Sequence, residues 1–347
     1  MKYRILFLLI AALFIMSCHK GPVLYIFNWS DYIDPELISE FEKEHGCKIK
    51  YSTYDSNENM LTKIKSSRQS FDIVFPSGDH VSILIEAGLA EKLDMSKLSN
   101  YAHMDPLLLE KARDFDTNNA YSIPYFWGVT GLMYNRKYIA PEMVEQNSWT
   151  VIGDKFFDGR RKITMLDDAR EVVGAALITA GYSVNDTSPE ALEAAKKILD
   201  VWDVNITQFD SESYKNEVAD GTTWLAQAYN GDALQQMSEN QDLGFFLPQE
   251  GSNLWMDNMV ILKSSQNKDL AYEFINFMMN PEVAKRNADY VQYPTPNASA
   301  YQQLDASEKD NKIIYPDEEY LEKCHMIRFL GNDVVKINDL FEYIKMN

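Results

Sequence analysis

The sequence predicts an α/β protein with a mostly parallel sheet covered by helices, and three observations carry that prediction. Residues 23–88 alternate strand-type and helix-type patterning in the order β-α-β-α-β-α. The chain has 347 residues, 46% of them apolar, enough for two domains of ordinary size with substantial cores. No repeat, low-complexity tract or long Gly/Ser linker divides it. Two domains would therefore be joined by strands or short crossings rather than by a floppy tether.

The elements follow in order. Residues 23–27 read as a buried strand. Asp34 then caps a helix with Pro35 at its first position, an apolar face of Leu37, Ile38 and Phe41, and Gly46 at its end. Residues 48–53 and 71–75 read as strands, and 57–65 and 81–87 as helices. Residues 121–134 form a second strand-rich stretch, followed by a loop over 149–161. Residues 162–166 are a short strand that runs into a helix through Val173, Ala176 and Leu177. A helix over 189–202 and strands at 225–229, 244–247 and 255–262 follow. Residues 268–280 are amphipathic, with Leu270, Ala271, Phe274, Ile275 and Met278 on one side, and Pro281 opens the next helix.

The N-terminus reads as a targeting segment. Lys2 and Arg4 precede an apolar run over residues 5–16, too short for a membrane span of ~20 residues. The run ends in Ile15-Met-Ser-Cys18, which resembles a bacterial lipoprotein signal. In such signals the cysteine is lipidated and becomes the new N-terminus. An ordinary signal peptide is the alternative. Loss of residues 1–17 would take Lys2 and Arg4 with it and move the formal net charge from −19 to −21. That charge argues against nucleic acid as a partner. It suits small cations, or serves solubility alone. With Cys18 lipidated, Cys47 and Cys324 remain and are expected as free thiols. The five histidines are scattered, so neither a metal site nor a cofactor is expected. Dinucleotide, Walker, nucleophile-elbow and zincin motifs are all missing from the sequence.

Asp168 and Glu171 are the most pointed pair. Three residues apart at a helix start, they share one face and are placed to meet a cation. The same spacing describes a capping box, in which Asp168 caps the helix and Glu171 reaches back. Other strand ends repeat a theme of an aromatic beside an acid: Trp29-Ser30-Asp31-Tyr32, Ser77-Gly-Asp79, Tyr229 with Asp232, and Trp255-Met-Asp257, joined by Tyr293. Each aromatic alone is more often a core residue. Together they supply what an alkylammonium ligand needs. A carboxylate gives a charge-assisted hydrogen bond. A ring face adds cation–π attraction of roughly 0.5–2 kcal/mol. Apolar walls add ~0.8 kcal/mol per buried methylene. Open α/β sheets bind ligands at strand ends.

These motifs, with Phe71-Asp-Ile-Val-Phe-Pro-Ser77, Leu166-Asp-Asp-Ala-Arg-Glu171, Phe274-Ile-Asn-Phe-Met278 and Tyr293-Pro-Thr-Pro-Asn297, resemble the polyamine-binding proteins of bacterial ABC importers over nearly the whole chain past the signal. The resemblance implies a two-lobed periplasmic binding protein fold with a cleft between lobes. Residues 22–126 and 255–300 would form one lobe, and 127–254 and 301–347 the other. Crossings would fall near Phe126, Trp255 and Ala300. Trp29, Tyr229, Trp255 and Tyr293 would wall the aliphatic chain, with Tyr32 beside them. Ser30, Asp31 and Ser77 would bind one terminal amine and Asp168 an amine along the chain. Glu171 and Asp257 would hold the other end. Putrescine and spermidine are the implied ligands, and the cognate permease the implied partner. The chain would be a monomer, anchored outside the cytoplasmic membrane through Cys18, and not an enzyme.

Departures from the family pattern bear on the ligand. Trp29-Ser-Asp-Tyr32 and Asp232 look like the putrescine branch, whereas Trp255-Met-Asp257 looks like the spermidine/putrescine branch. Asp79 stands where the family often has an aromatic, and Tyr229 where Trp is common. Ile327 stands near a Gln that spermidine-type members use at the far amine. Losing that polar partner would cost a triamine roughly 0.5–3 kcal/mol, so putrescine is expected to bind at least as well as spermidine. Three other readings remain: a sensor carrier that presents polyamine to a receptor, a sugar-binding protein, and a glycosidase using Asp168 and Glu171.

Overall fold

The protein is described by a computed structural model that covers residues 21–66 and 71–346. The signal segment and Cys18 lie outside the described residues. Among the described residues, ten strands make up one sheet. They are β1 (Val23–Trp29), β2 (Lys48–Tyr54), β3 (Ile73–Val74), β4 (Ile123–Asn135), β5 (Ile163–Met165), β6 (Ile206–Phe209), β7 (Leu225–Tyr229), β8 (Leu243–Phe246), β9 (Asn253–Ile261) and β10 (His325–Met326).

The pairing shows how one sheet serves two lobes. On one flank β2, β1 and β3 run parallel. On the other, β6, β5 and β7 run parallel. β4 and β9 join them, pairing antiparallel with each other and with β7 and β3 respectively. The first half of β4, Ile123 to Val129, lies against β9, and its second half, Thr130 to Tyr134, lies against β7. The mostly parallel expectation thus holds within each flank and gives way at the two strands that cross between them.

Each flank has its own apolar core. Leu24, Ile26, Phe41, Phe75, Ile261 and Phe274 belong to the first. Trp149, Phe157, Ile163, Trp202 and Phe341 belong to the second. Full burial of a Phe or Leu side chain contributes roughly 1.5–3 kcal/mol, so either core suffices to organise a lobe. The helix Pro35–His45 covers the first as its sequence signals require. The Asp34 side chain accepts from the Glu36 amide, Leu37 and Phe41 face inward, and Gly46 ends the helix at φ 59°.

Several elements differ from expectation. Residues 149–161 form two short 3-10 turns, Trp149–Gly153 and Lys155–Phe157, whose Trp149, Ile152 and Phe157 are core residues rather than loop surface. β3 contains only two of the five residues expected. Helices Tyr214–Asp220 and Asn230–Glu239 are rich in Asn, Gln, Glu and Asp, which mask their apolar stripe. The helix Val334–Lys345 packs Ile337, Phe341 and Ile344 into the second core. Before it, Tyr315, Leu321 and Cys324 pack around Phe27, Trp127, Leu254 and Met326. Cys47 is buried, Cys324 is half-buried, and both are free. No described helix is long and apolar enough to cross a membrane.

Candidate functional site

The C-terminal ends of β1, β3, β5 and β7 all open on one cavity of about 280 Å³, together with the middle of β9. All thirteen residues singled out from the sequence line it: Trp29, Ser30, Asp31, Tyr32, Ser77, Asp79, Asp168, Glu171, Tyr229, Asp232, Trp255, Asp257 and Tyr293. They come from chain segments more than 200 residues apart, which only the crossing of β4 and β9 can bring together.

Asp257 is the one carboxyl in β9, and it is 6% exposed. Ser77 forms an isolated antiparallel bridge to it. The Ser77 Oγ donates to Asp257 Oδ1 at 2.7 Å and the Tyr32 Oη donates to Oδ2 at 2.8 Å. The Asn57 side-chain amide holds Ser77 twice, its Nδ2 donating to the Ser77 Oγ and its Oδ1 accepting from the Ser77 backbone N–H. The Tyr125 Oη donates to the Tyr32 carbonyl at 2.7 Å. Ser77 and Asp257, expected at opposite ends of a ligand, are therefore direct neighbours. Burial pushes the Asp257 carboxyl up to about 7, with Asp79 adding to the rise and the two hydroxyls only partly opposing it.

Asp168 and Glu171 combine the two readings of their spacing. Asp168 is the N-cap of helix Ala169–Thr179, and its Oδ1 accepts from the amides of Arg170 and Glu171. Glu171 does not complete a capping box. Its Oε2 turns to the Asn253 amide at 2.7 Å, and the residue is 2% exposed. Burial raises both carboxyls above their ordinary range; Glu58 and Asp79 add to the rise at Asp168, and Asp168 adds to it at Glu171. Gly174 lets Asn253 approach, since a Cβ there would lie 2.7 Å from the Asn253 Oδ1.

Two further acids in the cavity already have partners. Asp232 accepts from the Tyr214 Oη at 2.8 Å and the Tyr293 Oη at 3.1 Å, and Lys215 Nζ lies 3.6 Å from its Oδ2. Asp79 faces His80, whose Nδ1 is 3.1 Å from Asp79 Oδ1, and the His80 Nε2 is 3.8 Å from Glu58. Burial drives the Asp79 carboxyl up, but the His80 and Arg170 charges more than offset this and hold it below the usual range. Burial likewise pulls His80 down, and Asp79, Glu58 and Asp168 together raise it above the usual imidazole value. Arg170 itself is tied to the Arg328 carbonyl and to Asn185.

The walls are aromatic. Trp255 packs edge-on to Tyr293 at 5.2 Å and to Tyr229 at 5.8 Å. Tyr32 meets Tyr293 at 5.5 Å, and Trp29 lies 4.6 Å from Tyr54. The Trp29 Nε1 donates to the Phe75 carbonyl, which fixes its ring. Gly231 and Gly128 make this packing possible, because a Cβ would come within 2.5 Å of the Tyr293 ring or 2.4 Å of Trp255. Ser30 and Asp31 are exposed at the rim, where Asp31 adopts φ 52°. Ile327, half-buried, also lines the cavity.

Sequence reasoning missed Asn57, Glu58, His80, Arg170, Lys215 and Asn253. His80 and Arg170 adjoin Asp79 and Glu171 and were within reach of the same motif. Lys215 lies on a helix the pattern did not disclose, and Asn253 is a polar position at the start of a buried strand. Among the described residues no group of three or more His, Cys, Asp or Glu is arranged to hold a metal ion.

Comparison with known proteins agrees with this architecture. Residues 36–314 match the family of bacterial extracellular solute-binding proteins. The spermidine/putrescine-binding periplasmic protein of Escherichia coli strain K12 is 37% identical over 320 residues, 92% of this chain and 89% of that one. The putrescine-binding periplasmic protein SpuD of Pseudomonas aeruginosa is 32% identical over 317 residues, 88% of this chain and 86% of that one. Among solved structures, the spermidine/putrescine ABC transporter substrate-binding protein PotD of Streptococcus pneumoniae superposes with a TM-score of 0.81 at 37% identity, covering 94% of this chain and 99% of that one. The TpPotD lipoprotein of Treponema pallidum gives 0.82 at 30% identity, covering 94% and 100%. With two cores bridged by crossing strands around one acidic, aromatic cavity, the chain belongs to the bacterial extracellular solute-binding protein family, among its spermidine/putrescine-binding relatives.

Proposed function

We propose that the chain is the extracytoplasmic binding component of a polyamine ABC importer and holds putrescine at least as well as spermidine. One observation carries this reading. Asp257 and Glu171 are buried acids in an aromatic-walled cavity, and their near partners are hydroxyls and an amide rather than cations. An ammonium at each would turn two costly buried carboxyls into charge-assisted pairs. The aromatic walls would take up the methylenes between them. Asp168 and Glu171 lie in one turn of one helix, so they do not face each other across a sugar ring as glycosidase carboxyls do. Binding and release, without covalent chemistry, is what the site supports.

The lobes follow the crossings: residues 22–126 with 255–300, and 127–254 with the C-terminal helix. Residues 301–333 go with the second lobe, and their Tyr315, Leu321 and Cys324 pack against a cluster that includes Phe27, Trp127 and Leu254. Closure of these lobes on the ligand gives the form that a cognate permease reads. The chain acts as a monomer, tethered by lipid at Cys18 to the outer face of the membrane. Mass spectrometry of the protein made in its own cells tests the tether: a diacylated Cys18 is expected, and an unmodified N-terminus past a cleaved signal overturns it.

Calorimetric titration of the full chain in mild detergent, first unfolded and refolded to strip carried ligand, tests the function. One-to-one heat with putrescine and weaker spermidine is expected. Heat with a neutral sugar and none with any amine overturns the reading.

A further inference from the structure

The inner acids of the cavity, those not exposed at its rim, divide into two classes, and the division points to a residue that sets ligand length. Asp79 has His80 beside it, and Asp232 has Lys215. Asp257 and the Asp168–Glu171 turn have no ion-pair partner among the described residues, Arg170 acting on the turn only from farther away. Lys215 and Asp232 are largely withdrawn from water, their side chains 19% and 17% exposed, so their pairing is not a rim contact that solvent screens away.

We infer that Lys215 is a specificity-determining residue. Its ammonium occupies Asp232 as a built-in third amine, leaving two stations for a free ligand. This inference rests on the polyamine reading of the site. A diamine sets one ammonium at Asp257 and one at the Asp168–Glu171 turn, whose two carboxyls share it. A triamine brings a further ammonium to a cavity whose remaining inner acids are already matched, next to a resident ammonium that repels it. Tyr214 and Tyr293 keep Asp232 turned toward Lys215 by donating to both of its oxygens. Asp232 thus acts through Lys215 as a positioning residue and does not need to touch the ligand. Ile327 works in the same direction by offering a triamine no polar partner.

The test compares Lys215→Met with the parent chain, titrated with putrescine and spermidine in turn. Methionine keeps the unbranched apolar stem and removes the charge. Spermidine affinity relative to putrescine is expected to rise by about tenfold or more, with putrescine itself changed by less than about threefold. The double variant Lys215→Met/Asp232→Asn should return the ratio toward the parent value, because the freed acid is gone. Lys215→Arg, which keeps the charge, should leave the ratio alone. Equal strengthening of both ligands in Lys215→Met would mean that Lys215 swings aside on binding, and overturns the inference. So does loss of both ligands in Lys215→Met while Lys215→Arg binds normally, since Lys215 would then serve the binding itself. A parent chain that takes neither polyamine removes the underlying reading, a result seen before any variant is made.

Discussion

Tyr32 and Asp257 are 225 positions apart, yet the Tyr32 hydroxyl donates to the Asp257 carboxyl at 2.8 Å inside the cavity. Ser77 holds the other oxygen. A carboxyl gripped on both sides by neutral donors is aimed but not neutralised. Its preference for a proton near neutral pH records the cost of leaving it charged and dry. The same cost makes it a strong receptor for an ammonium group.

Asp257→Asn should therefore separate stability from function. The Asp257 carboxyl is raised in the folded chain, so its contribution is fully present below the unfolded value near 4. It is lost progressively as pH rises to about 7. Above that, the ionised carboxylate burdens the empty protein by on the order of 2–4 kcal/mol. The neutral amide keeps the shape without the charge. Thermal melts near pH 8 should show the ligand-free variant melting above the parent, while putrescine binding falls by two orders of magnitude or more. A variant that binds with near-parental affinity would place the ligand elsewhere.

Binding should also release protons. Glu171 and Asp257 both sit above their ordinary carboxylate range in the empty cavity, and an adjacent ammonium favours the charged form of each. Affinity should rise as pH increases from about 5.5 and level off above about 8. Titrations near pH 6 in buffers of different ionisation enthalpy should report up to about one or two protons released per ligand. The same heat in every buffer would mean that both acids are already ionised before the ligand arrives.

Much of this site was legible in the sequence because its residues sit at strand ends, and strand ends announce themselves. Trp29, Asp31, Asp168, Tyr229 and Asp257 each follow or interrupt a short apolar run. The sheet rule that places ligands at such ends then gathers them. What was not legible is the pairing. Lys215 with Asp232 and Asn253 with Glu171 join residues from separate elements, the latter 82 positions apart, and no local pattern marks either contact. The Asp168–Glu171 spacing permitted two geometries. Only the position of Asn253 decides that Glu171 turns into the cavity instead of back to its own helix. The fold was legible for the same reason that parts of it were missed. Runs such as 23–29 declare a buried strand, while Asn230–Glu239 hides a helix behind its Asn, Asp, Gln and Glu residues.

Gly231→Ala probes the wall. The added Cβ would lie 2.5 Å from the Tyr293 ring, which is confined between Tyr32 and Trp255. The ring must shift, and with it the hydroxyl that holds Asp232. A stability loss of about 1–3 kcal/mol is expected from overpacking, with putrescine affinity down roughly tenfold or more. Near-ultraviolet circular dichroism should register the change in the aromatic environment. If melting point and affinity both stay at parental values, Tyr293 is free to move and does not form a fixed wall.

Ile327→Gln asks whether the cavity can be lengthened chemically at its C-terminal side. Ile327 lines the cavity just after β10, whose Met326 pairs with Leu254 at the start of β9. An isoleucine there offers methyl groups to any amine that reaches it, whereas a glutamine offers a carbonyl oxygen that accepts from an ammonium. A diamine satisfied at Asp257 and Glu171 gains nothing from the change. A triamine gains one hydrogen bond, worth roughly 0.5–1.5 kcal/mol for a neutral acceptor and somewhat more with the donor charged. Competition titrations should show spermidine tightening by about threefold to tenfold at constant putrescine affinity. Tightening of both ligands together, or of neither, would mean that no third amine reaches Ile327, and the preference for the shorter ligand would then have to come from Lys215 alone.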